Sequence, residues 1–485
     1  MGIVLKQSLK NVFTTYLGFL FGAVNTVFLY TKILPDSYYG LVTFILASGA
    51  ILMPLMAFGV HNTIVKFHSH YQETEKDGFL TLMLLTPLLG TMPVCCLVFC
   101  FYEPLGNLVS QENPMVKDYL WYVFFVGLSM AYFEVFYAWC KVHLKSVFGN
   151  FMKEVFGRVG VTVLLVLLYF EVFSLDTFFK LLVGLYILRA IVLKIYAFRI
   201  HFPKLDFSFP NNTKEVLLYS LLLILGGSAA LILLEIDKVM INQFVQIENV
   251  AYYGVAVYIA TVIIVPSRAM HQITYPLTAE LLNNGDSFGL EALYKKTSLT
   301  LFIASGILFL LIVLNLEDLY LLLPENYRDG FFIVFLIGMA KVLDSLLGNN
   351  NSILYNSKYY KTILIFGVGL SALTIALNLL LIPKYGIEGA ALASFISIFL
   401  FNLTKIVFVK LKFGILPFTK STFKVFAALV LLGALFSVFN FDFHPILNIL
   451  LKSGFIVIMY LGILYRFEIS EDISGVLSKW LRKSE

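Results

Sequence analysis

Charged residues are scarce in this sequence. Asp, Glu, Lys and Arg make up 13% of its 485 residues, whereas hydrophobic residues make up 59%. Soluble proteins average about 25% charged and about 45–50% apolar residues, and a water-facing surface needs most of that charge. The composition therefore excludes a protein made of several soluble domains. The sequence predicts an all-α polytopic membrane protein whose helices face lipid or one another.

Cysteine, net charge and catalytic motifs are also lacking. The four cysteines form no pattern that would hold a disulfide framework or a metal ion. The net charge of +5 is too small and too dispersed for nucleic-acid binding. There is no Walker loop for ATP phosphates and no His-Glu-x-x-His motif for zinc. We therefore expect a transporter rather than an enzyme, with no cofactor, no metal and no nucleic-acid partner.

Apolar runs bounded by polar residues, proline or glycine predict about 14 transmembrane helices. The predicted spans are 12–33, 39–60, 79–101, 118–139, 154–173, 177–198, 215–236, 250–272, 298–316, 331–354, 362–382, 387–409, 423–440 and 446–465. With a cytoplasmic N-terminus, the cytoplasmic segments contain 21 Lys and Arg residues and the outer segments contain four. Because positive residues concentrate on the cytoplasmic side, the sequence predicts an even number of spans with both termini in the cytoplasm.

A short motif recurs in the two halves of the chain. Tyr38-Tyr39-Gly40 opens span 2, and Tyr252-Tyr253-Gly254 opens span 8 on the same side. The second copy lies six spans after the first, which is typical of a parallel repeat with the substrate site between its halves. The predicted organisation is an N-lobe at 1–198, a cytoplasmic linker at 199–214, a C-lobe at 215–409, spans 13 and 14 at 410–465 and a cytoplasmic tail at 466–485. We therefore expect two six-helix lobes plus two C-terminal helices.

Two arginines lie deep in predicted spans without a local acid. Arg189 is in span 6 and Arg268 is in span 8, and neither has an acidic residue three or four positions away. Because an unpaired guanidinium in hydrocarbon is costly, each must face a cavity, an acid on another helix or an anionic ligand. Both are therefore candidates for lining a substrate path.

Other intramembrane charges have local partners or span-end positions. Glu154 and Arg158 are four residues apart at the cytoplasmic start of span 5, which favours a helix-end ion pair. Lys341 and Asp344 are three residues apart on span 10, which favours a structural pair. Lys405 lies near a span end, from which a lysine can extend to the interface.

Four further polar residues are candidates for cavity lining or ion coupling. Glu134 in span 4 has no basic residue one helical turn away. Glu235 and Asp237 lie at the outer end of span 7, where interfacial solvation is the simpler interpretation and ion coupling is the alternative. Asn25 continues a polar stripe on span 1 that begins at Asn11. That stripe indicates either a cavity face or a hydrogen-bonded seam between helices.

Three passages, at residues 35–40, 234–241 and 378–391, resemble those of one known family. It comprises the polysaccharide-biosynthesis flippases for O-antigen and other lipid-linked oligosaccharides, within the multidrug/oligosaccharidyl-lipid/polysaccharide exporter superfamily. The third passage, Asn378-Leu-Leu-Leu-Ile-Pro-Lys-Tyr-Gly-Ile-Glu-Gly-Ala-Ala391, is the most specific. The resemblance covers essentially the whole chain.

The resemblance implies a cargo and a place in the cell. The cargo would be an undecaprenyl-pyrophosphate-linked oligosaccharide, such as an O-antigen unit of lipopolysaccharide, moved across the bacterial inner membrane by alternating access. Partners would be that lipid-linked substrate, membrane lipids and the polysaccharide polymerase machinery. Similar flippases carry arginines on helices 1, 2 and 8. Arg268 corresponds to helix 8, but span 1 has Asn25 and no mid-span arginine, so Arg189 or Arg158 becomes the substitute candidate.

Two alternatives remain open at this point. A multidrug or cation antiporter of the same superfamily usually has twelve helices and carboxylates in its first lobe, whereas spans 1 and 2 here contain no Asp or Glu. A non-transporting scaffold for envelope assembly belongs to a different class. It would tolerate neutralisation of Arg189 and Arg268 without loss of glycan export.

Overall fold

The computed structural model describes residues 2–439, 441 and 443–470, so most of the predicted tail lies outside the described residues. The described residues form helices joined by turns and short loops, without strands among them. They divide into two compact units, each discontinuous in sequence. Unit 1 comprises residues 1–254 and 367–390, and unit 2 comprises residues 255–366 and 391–485.

Unit 1 contains the first thirteen helices, the last of which continues into unit 2. They are α1 (Gly2–Ala23), α2 (Tyr30–Ile33), α3 (Asp36–Met56), α4 (Val60–Phe67), α5 (Glu73–Leu85), α6 (Pro87–Cys100), α7 (Tyr102–Val109), α8 (Leu120–Val142), α9 (Ser146–Phe151), α10 (Gly157–Tyr169), α11 (Leu175–Ile200), α12 (Thr213–Phe244) and α13 (Glu248–Thr261). Two π-helical segments, Val24–Leu29 and Met152–Phe156, join α1 to α2 and α9 to α10. Such wide turns are rare and often occur at functional sites.

Unit 2 contains most of the remaining helices. They are α14 (Val265–Asn283), α15 (Ser287–Leu314), α16 (Leu316–Leu321), α17 (Phe331–Leu346), α18 (Asn350–Asn356), α19 (Tyr360–Phe413), α20 (Lys420–Ser437) and α21 (Pro445–Arg466). The middle of α19, residues 367–390, belongs to unit 1. Within α19, Gly386 has a φ of 56° and a ψ of −135°, a conformation that glycine adopts without steric cost. The resulting kink lies between predicted spans 11 and 12.

Ten helical segments in the described part of the chain are long and apolar enough to cross a membrane. The number rises to eleven if the bent pair α17 and α18 is one span. The 54-residue α19 counts once, although its kink separates two predicted spans. Predicted span 5 falls on the π-helical segment Met152–Phe156 and α10, and predicted span 7 falls on α12; neither is among the ten. The all-helical membrane architecture is thus confirmed, whereas 14 spans and two six-helix lobes stay predictions.

Helix α8 passes through the core of unit 1, where it packs against α3, α4 and α11. Its Phe133 and Trp139 are fully buried. Close approach of α3 depends on a small residue, because a Cβ atom on Gly49 would lie 2.8 Å from Cγ1 of Val126.

In unit 2 the central helix is α15, which packs against α14, α17 and α20. The last two helices attach to it through apolar side chains and through Tyr460, whose hydroxyl donates a hydrogen bond of 3.2 Å to the carbonyl of Ile303. The polar residues at the ends of α14 and α17 meet beside this core, where Ser267 and Ser345 share a hydrogen bond of 2.9 Å.

Candidate functional site

Charged side chains of α8, of the π-helical segment Met152–Phe156, of α10 and of α11 form one group in unit 1. We call this group the unit-1 cluster, and its members are Glu134, Lys141, Lys153, Glu154, Arg158 and Arg189. The cluster contains four cations and two carboxylates, so it has an excess of positive charge. The π-helical segment Met152–Phe156 carries Lys153 and Glu154, and the straight helix that follows it carries Arg158.

Each carboxylate of the unit-1 cluster has a cationic partner. Glu154 pairs with Arg158 across 3.4 Å, which confirms the pair predicted from their spacing. Glu134 pairs with Lys153 of the π-helical segment across 2.6 Å. Lys141 lies 4.0 Å from the ring centroid of Tyr137. The two acids are therefore already engaged by Lys153 and Arg158.

Arg189 is held by aromatic rings rather than by an acid. Its guanidinium carbon lies 4.4 Å from the ring centroid of Phe133 and 4.8 Å from that of Tyr186. Across the described chain, no carboxylate comes within ion-pairing distance of Arg189, and its buried Nε–H has no hydrogen-bond acceptor. A cation over a ring is stabilised by the electrostatic field of the ring face. The Nε–H of Arg189 is therefore a buried donor without an acceptor.

Arg158 likewise has a buried donor without a hydrogen-bond partner. Its guanidinium carbon is 5.4 Å from the ring centroid of Phe19, and its buried Nη1 has no hydrogen-bond partner. A Cβ atom on Gly157 would be in contact with Nη1 of Arg189, at 3.6 Å, which shows how closely Arg189 approaches this part of span 5. Each of the two arginines thus keeps a buried N–H group without an acceptor.

The polar stripe of span 1 is a seam between helices. Asn25 donates to the carbonyl of Arg158 at 2.8 Å and accepts from Thr162 at 2.7 Å. Asn11 donates to Ser146 at 3.3 Å and accepts at its carbonyl from Asn150 at 3.1 Å. Of the two interpretations of this stripe, the structure shows the hydrogen-bonded seam. Its consequence for the site is that Asn25 fixes the backbone that carries Arg158.

Asp237 of unit 1 is buried, so the interpretation of interfacial solvation is wrong for this residue. Its carboxylate accepts hydrogen bonds from Tyr253 at 2.5 Å and from Asn378 at 2.8 Å. Its neighbour Glu235 is partly exposed and pairs with Lys238 across 2.6 Å. Both of these donors to the buried carboxylate are neutral groups.

The intramembrane charges of unit 2 lie around α14, α17 and α19. Lys405 is buried, with 1% of its surface exposed, and it pairs with Asp344 across 3.5 Å. The prediction that Lys405 extends to the interface is therefore wrong, because its helix turns the side chain into the unit. Lys341, the partner predicted for Asp344, lies one turn earlier on α17 and makes contacts of its own.

Arg268 lies on α14 in unit 2, whereas Arg158 and Arg189 lie in unit 1. Its side chain is exposed and has interactions with other groups. The adjacent Ser267 is hydrogen-bonded to Ser345 on α17. Arg268 therefore follows a residue that is anchored next to Asp344. Its role as a phosphate ligand stays a prediction.

Sequence reasoning missed a polar motif at the end of span 10. The motif Gly348-Asn349-Asn350-Asn351-Ser352 begins between α17 and α18, continues into α18 and is almost entirely buried. Five consecutive polar or small residues within an apolar run were the available signal. Asn378 was likewise overlooked as the donor to Asp237. In the part of the chain that the structure describes, no group of three or more His, Cys, Asp and Glu residues could hold a metal ion.

Comparison with known proteins identifies a matching family and solved structures with a similar fold. Residues 4–282 match a family described as "Polysaccharide biosynthesis protein", and no curated protein matches the chain. Among solved structures, the lipid II flippase MurJ in an inward closed conformation is similar with a TM-score of 0.73 and 15% identity, over 96% of this chain and 100% of that one.

Two other solved structures show the same fold. A multidrug resistance MATE family transporter of the MOP superfamily in an inward-facing conformation has a TM-score of 0.64 and 12% identity, over 84% of this chain and 98% of that one. A MOP superfamily transporter from Pyrococcus furiosus has a TM-score of 0.59 and 13% identity, over 86% and 96%. At these identities the likeness concerns the fold, which is that of the MOP superfamily transporters.

Proposed function

This chain belongs to the polysaccharide biosynthesis protein family, and we propose that it is a flippase for an undecaprenyl-pyrophosphate-linked oligosaccharide. The cargo would be an O-antigen or another surface polysaccharide unit, moved from the inner to the outer leaflet of the bacterial inner membrane. Alternating access would move the polar head of the cargo through the protein while the prenyl chain stays in lipid. The resemblance of this fold to a lipid II flippase supports that cargo class.

The observation that carries the proposal is the pair of vacant guanidinium donors in unit 1. Arg158 and Arg189 each keep a buried N–H without an acceptor, and both rest on aromatic rings. A pyrophosphate offers several acceptor oxygens and negative charge, which arginine binds through its planar fork of donors. The rings of Phe19, Phe133 and Tyr186 hold the guanidiniums in place before the ligand arrives, which lowers the entropy lost on binding.

A reconstituted assay tests the function directly. The purified protein in liposomes should move an undecaprenyl-pyrophosphate-linked oligosaccharide from one leaflet to the other, measured as the fraction that an added glycosidase can cleave. Empty liposomes and a heat-denatured sample are the controls. If the protein exports a cationic dye against a proton or sodium gradient and leaves the lipid-linked sugar in its leaflet, the antiporter alternative is correct. If it moves neither cargo although folded, the scaffold alternative gains support.

We expect Asp237 to be a coupling residue for this transport. Asp237→Asn keeps the side-chain shape but removes the charge, so the reconstituted flipping rate should fall at least about tenfold while the protein level stays unchanged. A loss of about 1.4 kcal/mol in transition-state stabilisation corresponds to that factor. Glu235→Gln is the matched control, because Glu235 is partly exposed and already paired with Lys238. Equal flipping rates for the two variants would remove Asp237 from the coupling role.

The proposed topology has its own test. We expect reporter fusions after Glu112 and Arg328 to be periplasmic and fusions after Gln72 and Lys412 to be cytoplasmic, because positive residues concentrate in the segments assigned to the cytoplasm. Paired alkaline phosphatase and green fluorescent protein fusions measure the side of each site. A reversed result at any one of the four sites would contradict the assigned register of spans.

A further inference from the structure

The two ends of α19 lie in unit 2 and are rich in lysine. Residues 355–361, which lead into α19, contain two lysines, and residues 408–420, which end it, contain three. Neither segment contains an aspartate or a glutamate. The four lysines nearest to the helix ends are all exposed: Lys358, Lys361, Lys410 and Lys412. Positive charge therefore concentrates where predicted span 11 begins and predicted span 12 ends.

The ring of Tyr359 brings two of these lysines together. Its centroid lies 5.4 Å from the ammonium of Lys358 and 5.8 Å from that of Lys412. Lys358 precedes α19, whereas Lys412 belongs to its last turn. A ring face attracts a cation but carries no net charge, so the two positive charges meet without being neutralised. We call Lys358, Tyr359 and Lys412 the lysine platform.

The lysine platform is part of the packed structure. The rings of Phe408 and Phe413 contact that of Tyr359 edge-on, with centroid distances of 5.4 Å and 5.9 Å. Both phenylalanines pack against a buried apolar cluster of unit 2. Lys410 donates a hydrogen bond of 3.0 Å to the carbonyl of Gly414, which closes the end of α19. The ring is therefore held in position before any ligand arrives.

In the described part of the chain, no acid neutralises the lysines at the ends of α19. None of the four forms an ion pair with an aspartate or a glutamate there. Other cations of unit 2 have such a partner. Lys295 pairs with Glu291 across 2.6 Å, and Arg328 pairs with Glu325 across 3.5 Å. The lysine platform thus differs from a surface on which the two signs of charge alternate, and it is suited to an anion.

The position of the platform indicates which anion fits. Lysines directly beyond the end of a transmembrane helix lie near the lipid headgroups, where anionic phospholipids attract them. Exposed apolar surface accompanies the charge, because Leu411 is 75% exposed and Tyr360 is 42% exposed. Tyrosine and lysine side chains at such a position place an apolar part towards lipid and a polar end towards water. A soluble phosphate would use only the lysines, whereas a phospholipid would use both kinds of surface.

We propose that the lysine platform binds the headgroup of an anionic phospholipid. The ammoniums of Lys358 and Lys412 donate to the phosphate oxygens in charge-assisted hydrogen bonds, and the ring of Tyr359 keeps the two cations together. A zwitterionic headgroup binds less well, because its own ammonium meets two charges of the same sign. The site lies outside the unit-1 cluster and goes beyond the proposed flippase function, because it binds a membrane lipid and not the cargo.

Native mass spectrometry of the purified full-length protein in detergent tests the site. Phosphatidylglycerol and phosphatidylcholine with identical acyl chains are the anionic and zwitterionic probes. We expect the apparent Kd for phosphatidylglycerol to be lower by at least about tenfold, since each lysine near a lipid surface contributes roughly fivefold. Binding of phosphatidylglycerol should also weaken as the salt concentration rises, because salt screens exposed charges.

Variants of the platform locate the binding. Lys358→Gln, Lys412→Gln removes two exposed cations, so the protein should fold and its apparent Kd for phosphatidylglycerol should rise at least about tenfold. Lys145→Gln, Lys384→Gln is the matched control, because it removes the same charge from two exposed lysines outside the platform, and it should bind like the wild type. Tyr359→Phe keeps the ring and should also bind like the wild type, whereas Tyr359→Leu should bind several-fold more weakly. If Tyr359→Leu does not fold, the double lysine variant decides.

Soluble phosphates distinguish a lipid from a free anion as the ligand. Inorganic phosphate and glycerol phosphate, added at the same concentration as the lipid, should leave the binding of phosphatidylglycerol unchanged. Displacement of the lipid by either of them would overturn the assignment to a phospholipid.

Three further results would overturn the lysine platform as a lipid site. The first is an equal apparent Kd of the wild type for the two lipids. The second is unchanged binding of phosphatidylglycerol by Lys358→Gln, Lys412→Gln. The third is an equal loss of binding in the matched control, which would show an effect of net charge alone. Lipid flipping is not needed for any of these measurements, so a protein that binds phosphatidylglycerol at the platform and moves no lipid-linked sugar would contradict only the flippase.

Discussion

Replacing Arg158 and Arg189 together by alanine is expected to abolish export of the surface glycan. Each arginine offers an unused donor to an anion, and a hydrogen bond to a charged group contributes about 1.5–3 kcal/mol. The loss of one guanidinium should therefore weaken binding of undecaprenyl pyrophosphate roughly 10- to 100-fold, and the loss of both should leave no measurable binding. Binding to purified protein and surface glycan in complemented deletion cells measure the two effects.

A lysine variant separates the effect of the positive charge from the effect of guanidinium geometry. Arg189→Lys keeps the positive charge but loses the planar fork and the stacking on Phe133 and Tyr186, so it should restore binding only in part. Arg199→Ala is the matched control, because Arg199 lies on the same helix, is exposed and does not belong to the unit-1 cluster. Wild-type glycan export by the double alanine variant would exclude these arginines as phosphate ligands and would favour Arg268 of unit 2.

Gly348→Ala is expected to cause the largest loss of stability among single substitutions in unit 2. Gly348 lies at the break between α17 and α18 with a φ of 53°, and a left-handed φ costs a non-glycine residue about 1–2 kcal/mol. In addition, the new methyl group would meet the backbone of Ser298 at 2.6 Å, and such overpacking typically costs a further ~1–3 kcal/mol. Thermal unfolding of the detergent-solubilised protein should show a lower midpoint and a lower yield of folded protein.

The chain offers a close control for Gly348→Ala. Gly414 ends α19 with a φ of 76°, and nothing lies within 4 Å of the position that a Cβ atom would occupy. Gly414→Ala therefore introduces the backbone strain without the collision. Its loss of stability should be clearly smaller than that of Gly348→Ala. Equal losses would show that the contact with α15 does not fix the break.

Intrahelical relations could be predicted from the sequence, because they depend only on spacing. The pair of Glu154 and Arg158 follows from the helical repeat, and hydrophobic runs locate the membrane helices. Partners on different helices could not be predicted in this way. Lys153 neutralises Glu134, and Lys405 neutralises Asp344, but both pairs depend on how the helices pack and not on one-turn spacing.

Backbone irregularities were the second kind of feature that could not be predicted from the sequence. Neither the π-helical turns of spans 1 and 5 nor the break at Gly348 changes the apolar composition that locates a span. These irregularities nevertheless decide which faces of the spans meet, as in the contact between Asn25 and the carbonyl of Arg158. Asp237 was misjudged for a related reason, because its position at a span end suggested water, whereas Tyr253 and Asn378 enclose it.

The aromatic rings that contact these cations affect which molecules could enter the helix bundle. A ring stabilises a cation without cancelling its charge, since it carries no net charge of its own. Arg189 on Phe133 therefore leaves a positive potential inside an apolar bundle, where low polarity strengthens and extends electrostatic forces. Such an interior attracts a phosphate and repels a cationic drug before either makes contact. The sign of the charge would thus restrict the cargo before its shape does.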